Sequence, residues 1–146
     1  MLRFALVGCG RIARRHSELL GLSQIDGARL VSVCDIRYGK AKAIGERFNV
    51  PSYKDFDEMM ENENIDVVAV LTPSGLHANH VVSLSKYGKD IMVEKPMALT
   101  LDDADAMIEA CDRNGCRLFI IKQNRFNVPV VKLRDAHQSG RFGKLV

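Results

Sequence analysis

Five short apolar runs recur along the chain, at positions 3–7, 29–34, 67–71, 90–93 and 117–121, each followed by a longer stretch with helical spacing. This alternation predicts βαβ units arranged around a parallel sheet. The runs are apolar at successive rather than alternate positions, as in Val67-Val68-Ala69-Val70-Leu71. Strands of that kind are covered by helices on both faces, so the expected fold class is an α/β layered sandwich.

The intervening segments predict helices over 11–22, 39–48, 55–61, 75–87 and 101–113. The last is the clearest: Ala104, Met107, Ile108 and Cys111 fall at i, i+3, i+4 and i+7, Thr100 and Asp103 occupy capping-box positions, and Gly115 suits the C-terminal end. An extended piece over 50–53, containing Pro51, predicts an extra strand before the helix at 55. A final helix is expected to begin near Pro129 and end near Gly140. The closing Gly143-Lys144-Leu145-Val146 reads as the start of a further strand.

The length of 146 residues suits one core, and 47% hydrophobic with 27% charged residues excludes wholesale disorder. Net charge is only +3, aromatics are 6% and Trp is absent, so neither a polyanion-binding face nor a base-stacking surface is indicated and no nucleic-acid partner is expected. The stretch 67–85 lacks Asp, Glu, Lys and Arg, but Pro73, His77, Asn79 and His80 disqualify it as a membrane span, and no membrane partner is expected. Cys9, Cys34, Cys111 and Cys116 form no C-x-x-C pair, and two of them sit in strongly apolar contexts, which predicts a reducing, cytoplasmic location and no metal site.

The strongest chemical signal is Gly8-Cys9-Gly10-Arg11-Ile12-Ala13, a G-x-G-x-x-A pattern placed directly after a strand and opening a helix. Gly8 permits a tight turn, Gly10 leaves room for a pyrophosphate against the backbone, and Ala13 keeps the helix close to the strand. The unpaired N–H groups of the helix start, with the Arg11 side chain beside them, suit phosphate. The pattern alone is also compatible with an ordinary turn. Asp35 at the end of the second strand run changes that balance, because a carboxylate there can accept hydrogen bonds from the adenine ribose hydroxyls. The interval from Gly8 is longer than the usual ~20 residues, and the loop before Ala28 absorbs the difference. A Rossmann-type doubly wound sheet binding NAD is the expectation. NADP is disfavoured by repulsion between Asp35 and a 2′-phosphate, which Arg37 could soften.

Polar residues at other strand ends face the same crevice. Ile36, Leu71, Thr72, Pro73 and His77 are candidate cofactor contacts, with His77 placed at a helix start where it could donate to a phosphate or ribose oxygen. A surface histidine is the competing reading, and His16 and His80 are read that way. In Glu94-Lys95-Pro96, Lys95 is the candidate catalytic residue, an ammonium in a partly desolvated cleft able to hydrogen-bond a substrate hydroxyl. Glu94 could pair with it or hold a ribose hydroxyl. Gln123, Asn124 and Arg125 suit carboxamide, sugar or phosphate recognition, or else form a polar loop capping the last helix.

Taken together, Gly8-Cys9-Gly10-Arg11-Ile12-Ala13, Asp35, Thr72-Pro73-Ser74-Gly75-Leu76-His77 and Glu94-Lys95-Pro96-Met97-Ala98-Leu99 resemble the N-terminal NAD-binding domain of the Gfo/Idh/MocA oxidoreductase family. The resemblance implies that Lys95 lies beside the nicotinamide and substrate and that Glu94 helps to hold the cofactor. Gly8, Cys9, Gly10, Arg11, Ile12, Asp35, Ile36, Leu71, Thr72, Pro73, His77, Glu94, Lys95 and Gln123 are then the expected cofactor contacts, with Lys95, Asn124 and Arg125 facing substrate. Ile121-Lys122-Gln123-Asn124-Arg125 and Gly140-Arg141-Phe142-Gly143 are further similar to a sugar-nucleotide branch that oxidises the 3-hydroxyl of UDP-N-acetylglucosaminuronic acid for surface polysaccharide, including lipopolysaccharide. Branches acting on inositols and other sugars share most of these words.

The resemblance also implies a second domain that completes the active site and mediates homo-oligomerisation. The expected organisation is a cofactor domain over 1–125 and, over 126–146, a helix and the beginning of a C-terminal domain cut short, so that the chain alone is expected to be inactive. Two other classes remain open at this point. A class I methyltransferase also pairs a glycine loop with an acidic strand end, although Phe4-Ala5-Leu6-Val7 lacks the acidic residue usual before that loop; the other is a non-catalytic dinucleotide-binding module or sensor.

Overall fold

The computed structural model describes residues 1–144. Six parallel strands, β1 (Leu2–Val7), β2 (Ala28–Cys34), β3 (Ser52–Tyr53), β4 (Val67–Val70), β5 (Asp90–Val93) and β6 (Leu118–Ile120), lie in the order β3-β2-β1-β4-β5-β6. The chain winds outward from β1 to β3, then crosses back to β4 on the other side of β1. This reversal opens a crevice at the C-terminal ends of β1 and β4, where doubly wound sheets take their ligands.

Helices α1 (Arg11–Gly21), α2 (Tyr38–Phe48), α3 (Phe56–Asn62), α4 (His77–Ser85), α5 (Leu101–Arg113) and α6 (Val128–Gln138) complete the described fold, with 3₁₀ turns at Ser74–Leu76 and Gln123–Phe126. Successive strand residues feed opposite cores. Ala5, Val7, Val68 and Val70 pack with Met59, Leu84 and Met107 on the α3, α4 and α5 side, while Leu6, Ala69 and Leu71 pack with Ala13, Leu20 and Ala41 on the α1 and α2 side. Burial on both faces is the physical reason for the unbroken apolar runs. At the sheet's opposite end, Asp66 just before β4 accepts three hydrogen bonds from Arg3 on β1 at 2.7–2.9 Å. The pair stitches the two central strands together.

Thr100 and Gly115 act at the ends of α5 as the sequence analysis expects, and a cap that it did not name starts α3. Asp55 caps α3, accepting from the Asp57 and Glu58 backbone N–H groups, and Thr100 caps α5 through Asp103 N–H. Gly115 follows α5 at φ 67°. Differences are confined to edges and turns. The expected helix over 75–87 divides into the 3₁₀ turn at Ser74–Leu76 and the shorter α4. β6 starts at Leu118 rather than at position 117, because the Arg117 guanidinium and backbone N–H turn to Asp90 at the start of β5.

α6 begins with Val128 and Pro129 and buries no residue, leaving Leu133 60% exposed. Gly143 and Lys144 carry no strand pairing, and the remainder of the strand expected over 143–146 lies outside the described residues. Among the described residues no helix is long and apolar enough to cross a membrane.

Candidate dinucleotide site

The turn after β1 is made possible by Gly8. Its φ of 98° disfavours any side chain, and a Cβ there would lie 2.8 Å from Leu71 C and Thr72 N, where the loop after β4 passes. Gly10 is the N-cap of α1 and supplies no capping side chain, and the first turn carries no acidic residue. The N–H groups of the helix start are therefore left for an external acceptor, at the positive end of the helix dipole. A Cβ on Gly10 would meet nothing within 4 Å, so the backbone is open on that side.

Asp35, one residue past β2, is half-buried and fixed by two backbone donors. Cys9 N–H donates to Oδ2 and Arg37 N–H to Oδ1, each at 2.8 Å. Each carboxylate oxygen keeps a lone pair, so the group can still accept from a vicinal diol. A cavity of about 640 Å³ opens at this point. Gly8, Gly10, Asp35, Ile36, Leu71, Thr72 and Pro73 line it, which unites seven of the sequence-expected contacts. Its volume is in the range of small-molecule sites. A helix start without its own cap, a glycine backbone open on one side and a prefixed carboxylate with spare lone pairs fit a dinucleotide.

Other expected residues sit elsewhere. His77 is only 1% exposed and its ring is spent on the fold: Nδ1 lies 2.8 Å from the Pro96 carbonyl oxygen and Nε2 2.9 Å from that of Thr72. The expected hydrogen bond from His77 to a cofactor oxygen is thus corrected to a clamp between two loops, because both nitrogens already face backbone acceptors. Cys9 acts through its N–H alone, since its thiol is buried, points to the Cys34 carbonyl and is pushed up to about 12, chiefly by desolvation. Arg11 and Ile12 in the first turn of α1 lie outside the cavity lining.

Glu94 and Lys95 directly follow β5, with a cis bond joining Lys95 to Pro96. The anticipated side-chain pair between them is absent. Glu94 is 8% exposed and bonds instead to His16 Nε2 at 3.1 Å and to Lys95 N–H at 3.1 Å. The Lys95 side chain is exposed, so the partly desolvated cleft expected around it is not built by the described residues. Gln123, Asn124 and Arg125 form an exposed 3₁₀ turn after β6, and none lines the cavity.

Two histidines expected at the surface are instead partly buried and hydrogen-bonded, one of them in the cavity wall. His80 lines the cavity with Phe56, edge to face at 5.8 Å, and bonds Thr72 Oγ1 through Nδ1 at 2.9 Å. Burial, then the nearby His77 ring, lowers its pKa, so the ring is neutral at pH 7. His16 holds Glu94. Both had a readable signal: His16 falls between Ala13, Ser17 and Leu20, and His80 between His77, Val81 and Leu84, on the inward stripes of α1 and α4. Lys40, Lys54 and Asp55 also line the cavity, and no motif marked them.

This topology and this glycine-to-aspartate geometry define a dinucleotide-binding α/β domain of the Rossmann type. A family model described as "Oxidoreductase family, NAD-binding Rossmann fold" (Gfo/Idh/MocA) matches residues 2–122, and the chain belongs to that family. Membership removes the methyltransferase alternative. Among curated relatives, myo-inositol 2-dehydrogenase of Thermotoga maritima is 34% identical over 98% of the chain and 42% of its own length. Among solved structures, the WlbA dehydrogenase of Bordetella pertussis, in complex with NADH and UDP-GlcNAcA, is 36% identical with a TM-score of 0.92, over 98% of this chain and 43% of that one. The WlbA enzyme of Chromobacterium violaceum, with the same two ligands, is 41% identical with a TM-score of 0.91, over 97% and 41%. The chain therefore spans about two fifths of these relatives.

Proposed function

We propose that this chain is the cofactor-holding part of an NAD-dependent dehydrogenase that oxidises a CH–OH group of a sugar or polyol. The observation that carries the reading is the Asp35 carboxylate fixed by Cys9 and Arg37 N–H groups beside an uncapped α1. NAD, when bound, supplies the hydride acceptor. The protein residues do the rest: α1 receives phosphate, Asp35 orients the ribose, and the exposed Lys95 ammonium donates a hydrogen bond to the oxygen of the reacting hydroxyl. A nucleotide sugar, UDP-N-acetylglucosaminuronate oxidised at its 3-hydroxyl on the way to surface polysaccharide, is the favoured substrate, supported by 36% and 41% identity to the two WlbA enzymes. The 34% identity to an inositol dehydrogenase favours a polyol as the second reading. The division into a cofactor domain over 1–125 and a distinct segment over 126–146 belongs to the same proposal, as do Arg11, Ile12 and Gln123 as cofactor contacts, Asn124 and Arg125 as substrate contacts, and homo-oligomerisation of a longer polypeptide.

Calorimetric titration tests the cofactor part. The chain should bind NAD more tightly than NADP, and failure to bind either overturns it. In a longer polypeptide carrying this chain, NADH formation with UDP-N-acetylglucosaminuronate but not with myo-inositol would select the substrate. There Lys95→Ala should cut turnover by about 10²-fold or more while changing NAD affinity little.

A further inference from the structure

His16 stands on α1, whose N-terminus faces the cavity, and its ring reaches across to the end of β5. A carboxylate only accepts, so the His16 Nε2–H is the donor to Glu94 Oε1. The other oxygen, Oε2, accepts from Lys95 N–H, the backbone of the residue that carries the exposed ammonium. Both side chains are largely shielded, at 16% and 10% exposure, where a hydrogen bond is screened little. The phosphate-side helix and the Lys95 turn are thereby tied through a single carboxylate.

Sheet order says which half of a dinucleotide this contact serves. Asp35 at the end of β2 takes the adenosine side, and β5 lies on the other side of β1, beyond β4. A dinucleotide spans the crevice across β1, so its nicotinamide half falls toward β4 and β5. Resting on the dinucleotide reading above, we infer that His16 is a positioning residue for the nicotinamide half: it holds the Glu94 carboxylate, and through it the Lys95 backbone, in the orientation the cofactor meets. Without the Nε2–H donor, Glu94 would be a shielded carboxylate with one partner and free to change rotamer. His16 neither bonds the Asp35 carboxylate nor lines the cavity, so the adenosine half should not register its loss.

The test compares NAD with ADP-ribose, which lacks the nicotinamide ring, by calorimetric titration of this chain. His16→Leu should weaken NAD about tenfold and leave ADP-ribose within twofold. His16→Gln, whose amide can still donate to Glu94, should restore most of the NAD affinity. His16→Asn, polar but too short to reach, should behave like His16→Leu and serves if the leucine variant fails to fold. Unchanged NAD affinity in His16→Leu or His16→Asn would overturn the inference while leaving the dinucleotide reading intact, as would equal losses for both ligands or failure of His16→Gln to recover. A wild-type chain that binds neither ligand would overturn the dinucleotide reading and the inference together.

Discussion

The backbone N–H of Cys9 donates to the Asp35 carboxylate at 2.8 Å, joining the glycine turn after β1 to the end of β2. The contact means that Asp35 has a structural partner before any ligand arrives. Asp35→Asn keeps an acceptor for Cys9 but loses the charge, so it should weaken NAD about tenfold and NADP less, because repulsion of a 2′-phosphate disappears with the charge. Equal losses for the two cofactors, measured by calorimetry, would remove Asp35 from the ribose.

Gly8→Ala should damage fold and site together. A side chain at φ 98° is strained, and its Cβ would press on Leu71 and Thr72 backbone atoms that belong to the next strand end. About 2–4 kcal/mol of stability should be lost, together with dinucleotide binding, as read by urea denaturation.

Acid should destabilise the fold through the Arg3–Asp66 stitch. Hydrogen bonds from the Arg3 side chain, then from its backbone N–H, hold the Asp66 pKa far below the usual carboxylate range. A carboxylate shifted down on folding contributes stability that is complete above its unfolded pKa of ~3.9 and fades as pH falls toward the native value. Glu18, Asp57 and Asp90 are shifted in the same direction by their cationic and hydrogen-bonding partners. Thermal midpoints should fall below about pH 5, and the slope should be shallower in Asp66→Asn.

The cysteines should be silent in the native state. Burial pushes the Cys9, Cys34 and Cys111 thiols up to about 12, and Cys116 is buried with its Sγ directed at the Cys111 carbonyl. Thiol reagents act on the thiolate. A disulfide reagent at pH 8 should label none rapidly in buffer and all four in urea; fast native labelling would contradict this packing.

The fold was legible because its signals are local. An apolar run of five, a glycine pair and an aspartate after a strand each act within a few residues, and Thr100 and Gly115 bound α5 as their chemistry requires. The site was legible only along its glycine and aspartate spine. His77 misled because its environment depends on where the Pro96 carbonyl lies in space, which no spacing reveals. The His16 and Glu94 partnership joins residues 78 positions apart. Exposure of Lys95 was equally hidden, since a strand end marks the crevice but not how much protein covers it.

The His77 clamp also bears on the cost of association. Ligand loops in many proteins are ordered only when occupied, and the lost backbone freedom is subtracted from affinity. Here the buried His77 ring fills the space between the Thr72 and Pro96 carbonyls, so that the loops after β4 and β5 are packed against each other at the lip of the crevice. A dinucleotide arriving at this chain meets a rim already ordered, and the entropy of arranging that rim was lost during folding rather than at the moment of capture.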